Sequence, residues 1–134
     1  MPDWPNVLFL CVHNAGRSQM ALGWFRHLAD GRAVAWSAGS EPAAEVNPAA
    51  VAAMAEVGID ISAAHPQRWS DAQLREAAVV VTMGCGDECP LVPGTRYEDW
   101  SLADPAGQGV EAVRPIRDEI ERRVRALLDD LATA

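Results

Sequence analysis

A cysteine, five intervening residues and then Arg-Ser close the stretch Val7-Leu8-Phe9-Leu10-Cys11-Val12-His13-Asn14-Ala15-Gly16-Arg17-Ser18. Its first half is a continuous run of β-formers, too short for a helix and apolar enough to be buried on both faces. Its second half is polar, and a helical pattern follows from Ser18. A loop of this kind, wrapping onto a helix N-terminus, turns several backbone N–H groups toward one point and makes a seat for a tetrahedral oxyanion. A thiol over that seat is held as its nucleophilic thiolate by the same dipoles, which is the role expected of Cys11. Arg17 can grip two anion oxygens with its planar fork. Ser18 can cap the helix and also donate its hydroxyl to the sulfur. Asn14 tolerates a left-handed backbone, Ala15 continues the loop, and Gly16 lets the backbone approach a ligand closely. His13, inside the loop, is placed to tune Cys11. Taken singly, Cys11 reads as a buried structural thiol and Arg17 as a surface charge; the combination at a strand-to-helix turn favours a thiolate–anion site.

The elements that must hold this loop follow from the rest of the chain. A length of 134 residues suits one domain, 1–134, with a real core. After a helix from Ser18 to Ala29, closed by Asp30-Gly31, a short strand is expected over Ala33–Ala38, ended by Gly39. Asn47-Pro48 is a cap followed by proline at the first helical position, and Val51, Met54 and Val57 supply that helix with an apolar stripe before Gly58 stops it. Ser70-Asp71-Ala72-Gln73 has the form of a capping box. Ala78–Met83 reads as a strand buried on both faces, and a short strand is expected around Arg96–Trp100. In the last helix Val113, Ile116, Ile120, Val124, Leu127, Leu128 and Leu131 share a stripe. Pro115 belongs in a first turn, so regular helix is expected from near Val113, and the run Arg117 to Arg125 reads as a solvated face. Strands alternating with helices predict a single-domain α/β fold with a parallel sheet.

Composition narrows the partners. The formal net charge of −8 argues against nucleic acid and anionic membrane surfaces. No apolar stretch is long enough to span a bilayer. The opening Met1-Pro2-Asp3-Trp4-Pro5 lacks the basic and apolar regions of a signal peptide, so a cytoplasmic protein is expected. Three cysteines are an odd number and read as redox or catalytic thiols rather than a disulfide framework. Two of them, Cys85 and Cys89, follow the third strand in Gly84-Cys85-Gly86-Asp87-Glu88-Cys89-Pro90. They are open to three readings: a redox pair, half of a zinc site completed by His13 or His65, or inert buried thiols. A second close ligand pair for zinc is missing from the sequence, and neither a metal nor a cofactor is expected. The five tryptophans, spread along the chain, read as packing residues.

The Cys11–Ser18 motif resembles the phosphate-binding loop of the low-molecular-weight protein tyrosine phosphatase family, and Arg17-Ser18-Gln19-Met20-Ala21 looks closest to its arsenate reductase branch. The resemblance covers nearly the whole chain and implies a four-stranded parallel sheet, order 2-1-3-4, flanked by helices. It implies an arsenate reductase in which Cys11 attacks arsenic and Asp104, in an Asp104-Pro105 motif, serves as general acid. Reducing arsenate to arsenite takes two electrons, which two thiols supply on becoming a disulfide. The family's reductases carry a cysteine pair just past the third strand, which makes Cys85 and then Cys89 the expected relay. Their pair is often farther apart than this one. Asp-Pro is followed here by Ala106-Gly107 rather than by the aromatics that frame a phosphotyrosine, which favours a small inorganic substrate. Phosphate and sulfate are the expected analogues, and thioredoxin or another thiol reductant the expected partner. Gln67 stands where some relatives place an acid that helps to bind potassium, so no potassium site is expected. The alternatives are a phosphotyrosine phosphatase and a non-catalytic oxyanion- or metal-binding thiol sensor.

Overall fold

β1 (Val7–Cys11) is buried along its whole length, and the sheet is built outward from it. In the computed structural model, which describes residues 5–84, 94–104 and 107–133, α1 (Arg17–Ala29) follows β1. β2 (Ala35–Gly39), α2 (Pro48–Glu56), α3 (Asp71–Glu76), β3 (Val79–Thr82), β4 (Arg96–Asp99) and α4 (Val110–Thr133) come after it in turn. The strands pair in the order β2-β1-β3-β4, and every pairing is parallel. The register sets Cys11 beside Gly39 and Leu10 beside Thr82, so the loops leaving the carboxyl ends of β1, β2 and β3 emerge together. Ligands of open parallel sheets bind at such an end, beside the strand where the connections reverse direction.

Alternation along β1 divides the interior into two layers. Val7, Phe9 and Cys11 join the larger core, with Met20, Trp24 and Phe25 of α1, Ala50, Ala53 and Met54 of α2, and the apolar stripe of α4. Leu8 and Leu10 face the other way and pack with Ala38, Val80, Trp36, Trp69 and Leu74 of α3. Phe9 anchors the larger layer, with its ring edge-on to Phe25 at 5.6 Å and tilted against Trp100 at 5.9 Å. Such contacts are worth about 0.5–1.5 kcal/mol beyond burial alone. Packing is also the role found for Trp24 and Trp100, which are buried, and for Trp36 and Trp69, which are partly so.

Cap chemistry matches its sequence signals. Asn47 accepts a hydrogen bond from Ala49 N–H at 2.9 Å with Pro48 at the first helical position, and Ser70 and Gln73 form the reciprocal capping box. Three expectations are corrected. β2 runs Ala35–Gly39 rather than Ala33–Ala38. In α2 the expected Met54 is buried, but Val51 and Val57 are only partly covered, and Ala50 and Ala53 complete the buried face. α4 begins at Val110, so Pro115 lies in its second turn. The Gly109 carbonyl accepts from both Ala112 N–H and Val113 N–H, at 3.1 and 3.2 Å, which closes a helical turn ahead of the proline.

A fourth correction concerns Arg117, which is not on a solvated face. It is buried and donates to the Ala53 carbonyl at 2.9 Å and to Glu56 at 2.8 Å, tying α4 to α2. Arg122 and Arg123 pair with Glu119, and Arg125 with Glu121, on the exposed side. Glu56 also receives a two-pronged grip from Arg114, at 3.0 and 2.7 Å. Hydrogen bonds from Arg114 and then Arg117 hold the Glu56 carboxyl down at about 2 from an ordinary 4.5. A carboxylate with a depressed folded pKa stabilises the fold above its unfolded value and loses that contribution as pH falls toward the folded one. Glu56→Gln is therefore expected to lower the thermal midpoint fully above about pH 4.5, with the gap to wild type closing toward about pH 2. Thermal melts across that range check it; an equal gap at neutral pH and near pH 3 would remove the charge from the account.

Candidate anion and thiol site

At the carboxyl end of β1 the chain leaves Cys11, turns through 12–16 and enters α1 at Arg17. Gly16 occupies the N-cap position, and no side chain caps the helix. The first N–H groups of a helix have no partner within it. Ser18 is thus not the cap that the sequence suggested; its hydroxyl is engaged elsewhere. Ser18 Oγ lies 2.8 Å from Cys11 Sγ and accepts a hydrogen bond from Asn14 Nδ2 at 2.7 Å.

The direction of these contacts can be read from Asn14. Gln67 N–H, which can only donate, lies 2.9 Å from Asn14 Oδ1, so the oxygen end of the amide faces Gln67 and the nitrogen end faces Ser18. With Asn14 donating to Ser18, the serine proton is free to point at the sulfur. A hydroxyl that donates to sulfur stabilises the thiolate. Asn14 is fully buried with φ of 51°, the left-handed conformation expected of it. Gln19 Nε2 fixes it further by donating to its carbonyl at 3.1 Å and its side-chain oxygen at 3.2 Å.

Arg17 is buried, and its Nη2 lies 3.6 Å from Asp104 Oδ2, with the Asp104 side chain 51% exposed. The loop after β4 therefore brings a carboxyl group to the arginine that opens α1. His13 Nδ1 lies 3.1 Å from the Glu41 carbonyl, an acceptor, so Nδ1 carries the proton. Cys11, His13, Ala15, Gly16, Arg17, Asn47 and Asp104 line one cavity of about 30 Å³. Among the described residues its lining includes no phenylalanine, tyrosine or tryptophan. A groove of about 580 Å³ between α1 and residues 58–64 is far larger, but among the described residues its lining includes no cysteine, serine, threonine or lysine. Of the two, the small cavity is the one that holds Cys11, Arg17 and Asp104 together.

The structure brings together Cys11, His13, Asn14, Ala15, Gly16, Arg17, Ser18 and Asp104. Cys85 and Cys89, with Pro105 and Ala106, lie outside the described residues, as do the redox and zinc readings of the cysteine pair. Sequence reasoning missed four contributors. Gln19 and Gln67 hold Asn14, and Gln67 Nε2 also donates to the Ser37 carbonyl at 3.1 Å. Asn47 lines the cavity in addition to capping α2. Gly39 leaves room for the loop: a Cβ there would lie 2.5 Å from the Val12 carbonyl oxygen. Gly39 could have been found, since a glycine at a strand end beside a loop often marks a close backbone approach.

Comparison with known proteins agrees with this geometry. A glutaredoxin arsenate reductase from Synechocystis sp. is 38% identical over 125 residues, 91% of this chain and 95% of that protein. A thioredoxin-dependent arsenate reductase from Corynebacterium glutamicum superposes with a TM-score of 0.83 at 41% identity, over 99% of this chain and 63% of that one. An arsenate reductase solved in its phosphate-binding state gives a TM-score of 0.84 at 36% identity, covering 95% of this chain and 98% of the other. The family model for low molecular weight phosphotyrosine protein phosphatases matches residues 6–134, and the chain belongs to that family.

Proposed function

We propose that this protein is an arsenate reductase, with residues 1–134 forming one catalytic domain. The observation that carries the reading is the contact of Cys11 Sγ with Ser18 Oγ at 2.8 Å, in a small cavity shared with Arg17 and Asp104. A thiolate there faces the electropositive start of α1 and a guanidinium fork, which suits a compact tetrahedral oxyanion. Among the described residues no phenylalanine, tyrosine or tryptophan lines the cavity, so an aryl group would find only the small His13 ring, which favours an inorganic substrate over phosphotyrosine. Relatives that are named arsenate reductases support the same choice.

The reaction then runs as follows. Cys11 attacks arsenic while Asp104 protonates the departing oxygen, which leaves as water. Cys85 attacks the Cys11 sulfur, the electrons of the sulfur–arsenic bond pass to arsenic, and arsenite departs. Cys89 attacks Cys85, freeing the Cys11 thiolate and leaving a Cys85–Cys89 disulfide. Two electrons have passed from two thiols to arsenic, and an external dithiol returns them. Thioredoxin is the proposed reductant, as in the Corynebacterium glutamicum enzyme, with a glutaredoxin or a small thiol as the alternative. Such a supply fits a cytoplasmic protein; among the described residues no helix is long and apolar enough to cross a membrane.

The experiment is arsenite production with thioredoxin, thioredoxin reductase and NADPH. Arsenate-dependent NADPH oxidation matched by arsenite is the expected result. Rapid aryl phosphate hydrolysis with no arsenite from thioredoxin, glutaredoxin or small thiols would make the protein a phosphatase instead.

A further inference from the structure

β3 ends at Thr82, and the chain reaches Gly84 with φ of +88°. The Arg17 side chain lies beside it. A Cβ at this position would lie 2.4 Å from Arg17 Nη1 and 3.4 Å from Arg17 Cζ, with no atom of another residue among its nearest neighbours. The guanidinium therefore fills the space where a side chain would begin. The second terminal nitrogen, Arg17 Nη2, lies 3.6 Å from Asp104. The arginine thus lies against Gly84, two residues past β3, and near Asp104 in the loop after β4, with its side chain only 7% exposed.

We propose that Gly84 is the positioning residue for Arg17, setting the grip on the oxyanion without touching it. The inference deepens the reading of this cavity as an oxyanion seat and rests on it. A contact of 2.4 Å cannot persist, and the partner best able to yield is the end of a flexible side chain rather than packed backbone. Adding a Cβ should therefore displace the guanidinium and leave the loop in place. The sulfur keeps Ser18 Oγ at 2.8 Å, a contact that involves neither Gly84 nor Arg17. Anion affinity and thiol reactivity should then separate. Residue 84 also directly precedes Cys85 in the sequence, so the segment with the two remaining thiols starts at the residue against which the arginine rests.

The test measures how well inorganic phosphate protects Cys11 from iodoacetamide, with Cys85 and Cys89 replaced by serine so that only Cys11 is labelled. Gly84→Ala adds the Cβ and also strains the positive φ. Gly84→Asn adds the same Cβ, but asparagine tolerates a positive φ better than alanine, so it lowers the backbone contribution and is the variant better able to fold. Both should need about tenfold more phosphate for half-protection, since a displaced fork loses charge-assisted bonds. Their unprotected labelling rates should fall by clearly less than the protection does, about threefold at most, because the sulfur loses the nearby guanidinium but keeps the Ser18 hydroxyl and the start of α1. Wild-type protection in Gly84→Asn would overturn the proposal, since backbone strain alone would then explain any loss in Gly84→Ala. So would a fall in unprotected labelling as large as the loss of protection, which would mean damage to the whole loop. If phosphate fails to protect the Gly84 parent itself, the oxyanion seat is misplaced and the functional reading falls first.

Discussion

Arsenate added to the Cys89→Ser protein should release up to one arsenite per chain and then stop, with Cys11 and Cys85 joined by a disulfide. Serine at 89 removes the thiol that would free Cys11, while the first two steps need only Cys11 and Cys85. Cys85→Ser should fail earlier: Cys11 still attacks, a slow hydrolysis of an aryl phosphate survives, and no arsenite forms. Cys11→Ser should abolish every activity, because a hydroxyl at this site is a far weaker nucleophile than a thiolate; removing a nucleophile can cost on the order of 10⁶ in rate. A phosphatase would behave otherwise, hydrolysing aryl phosphate rapidly in all but the Cys11 variant and giving arsenite in none. A zinc module would lose metal and fold together in both the Cys85 and Cys89 variants. Mass spectrometry of the stalled Cys89→Ser protein separates the three. Without a Cys11–Cys85 linkage after exposure to arsenate, the relay is wrong, whatever other route reduces arsenate.

What the sequence made legible was set by local chemistry. β1 could be read because a short apolar run buried on both faces has few alternatives, and the strand is indeed buried throughout. Asn47-Pro48 and Ser70–Gln73 could be read because a cap uses residues two or three positions apart. The loop could be read because cysteine, arginine and serine lie within eight positions of one another. What escaped was made by contacts between distant segments. Gln67 reaches Asn14 across 53 residues, and Arg117 reaches the Ala53 carbonyl across 64. Neither glutamine nor arginine at those places carries a local signal. Pro115 misled for a different reason: the proline rule concerns one missing donor, and the double acceptance at Gly109 had already closed a turn before it.

Arg17→Lys should weaken phosphate binding by about 30- to 150-fold, the equivalent of losing about 2–3 kcal/mol of charge-assisted hydrogen bonding. Lysine keeps the charge, so a site that worked by net attraction alone would hardly notice the change. The argument for a large effect is geometric. A guanidinium presents two parallel N–H groups to two anion oxygens, whereas an ammonium is a point charge on a flexible stem. Arg17 is also confined, with Nη2 at 3.6 Å from Asp104 and Nη1 in the space that a Cβ on Gly84 would take. A lysine would leave the Nη1 position empty and reach the anion with its orientation unset. With a formal charge of −8, the protein as a whole repels an anion, so the local fork has to supply what long-range attraction does not. Phosphate protection of Cys11, followed at the Cys11 peptide by mass spectrometry, measures the effect. If phosphate shields Cys11 equally well in Arg17→Lys and in wild type, Arg17 does not grip the oxyanion, and the loop must hold its ligand through backbone donors alone.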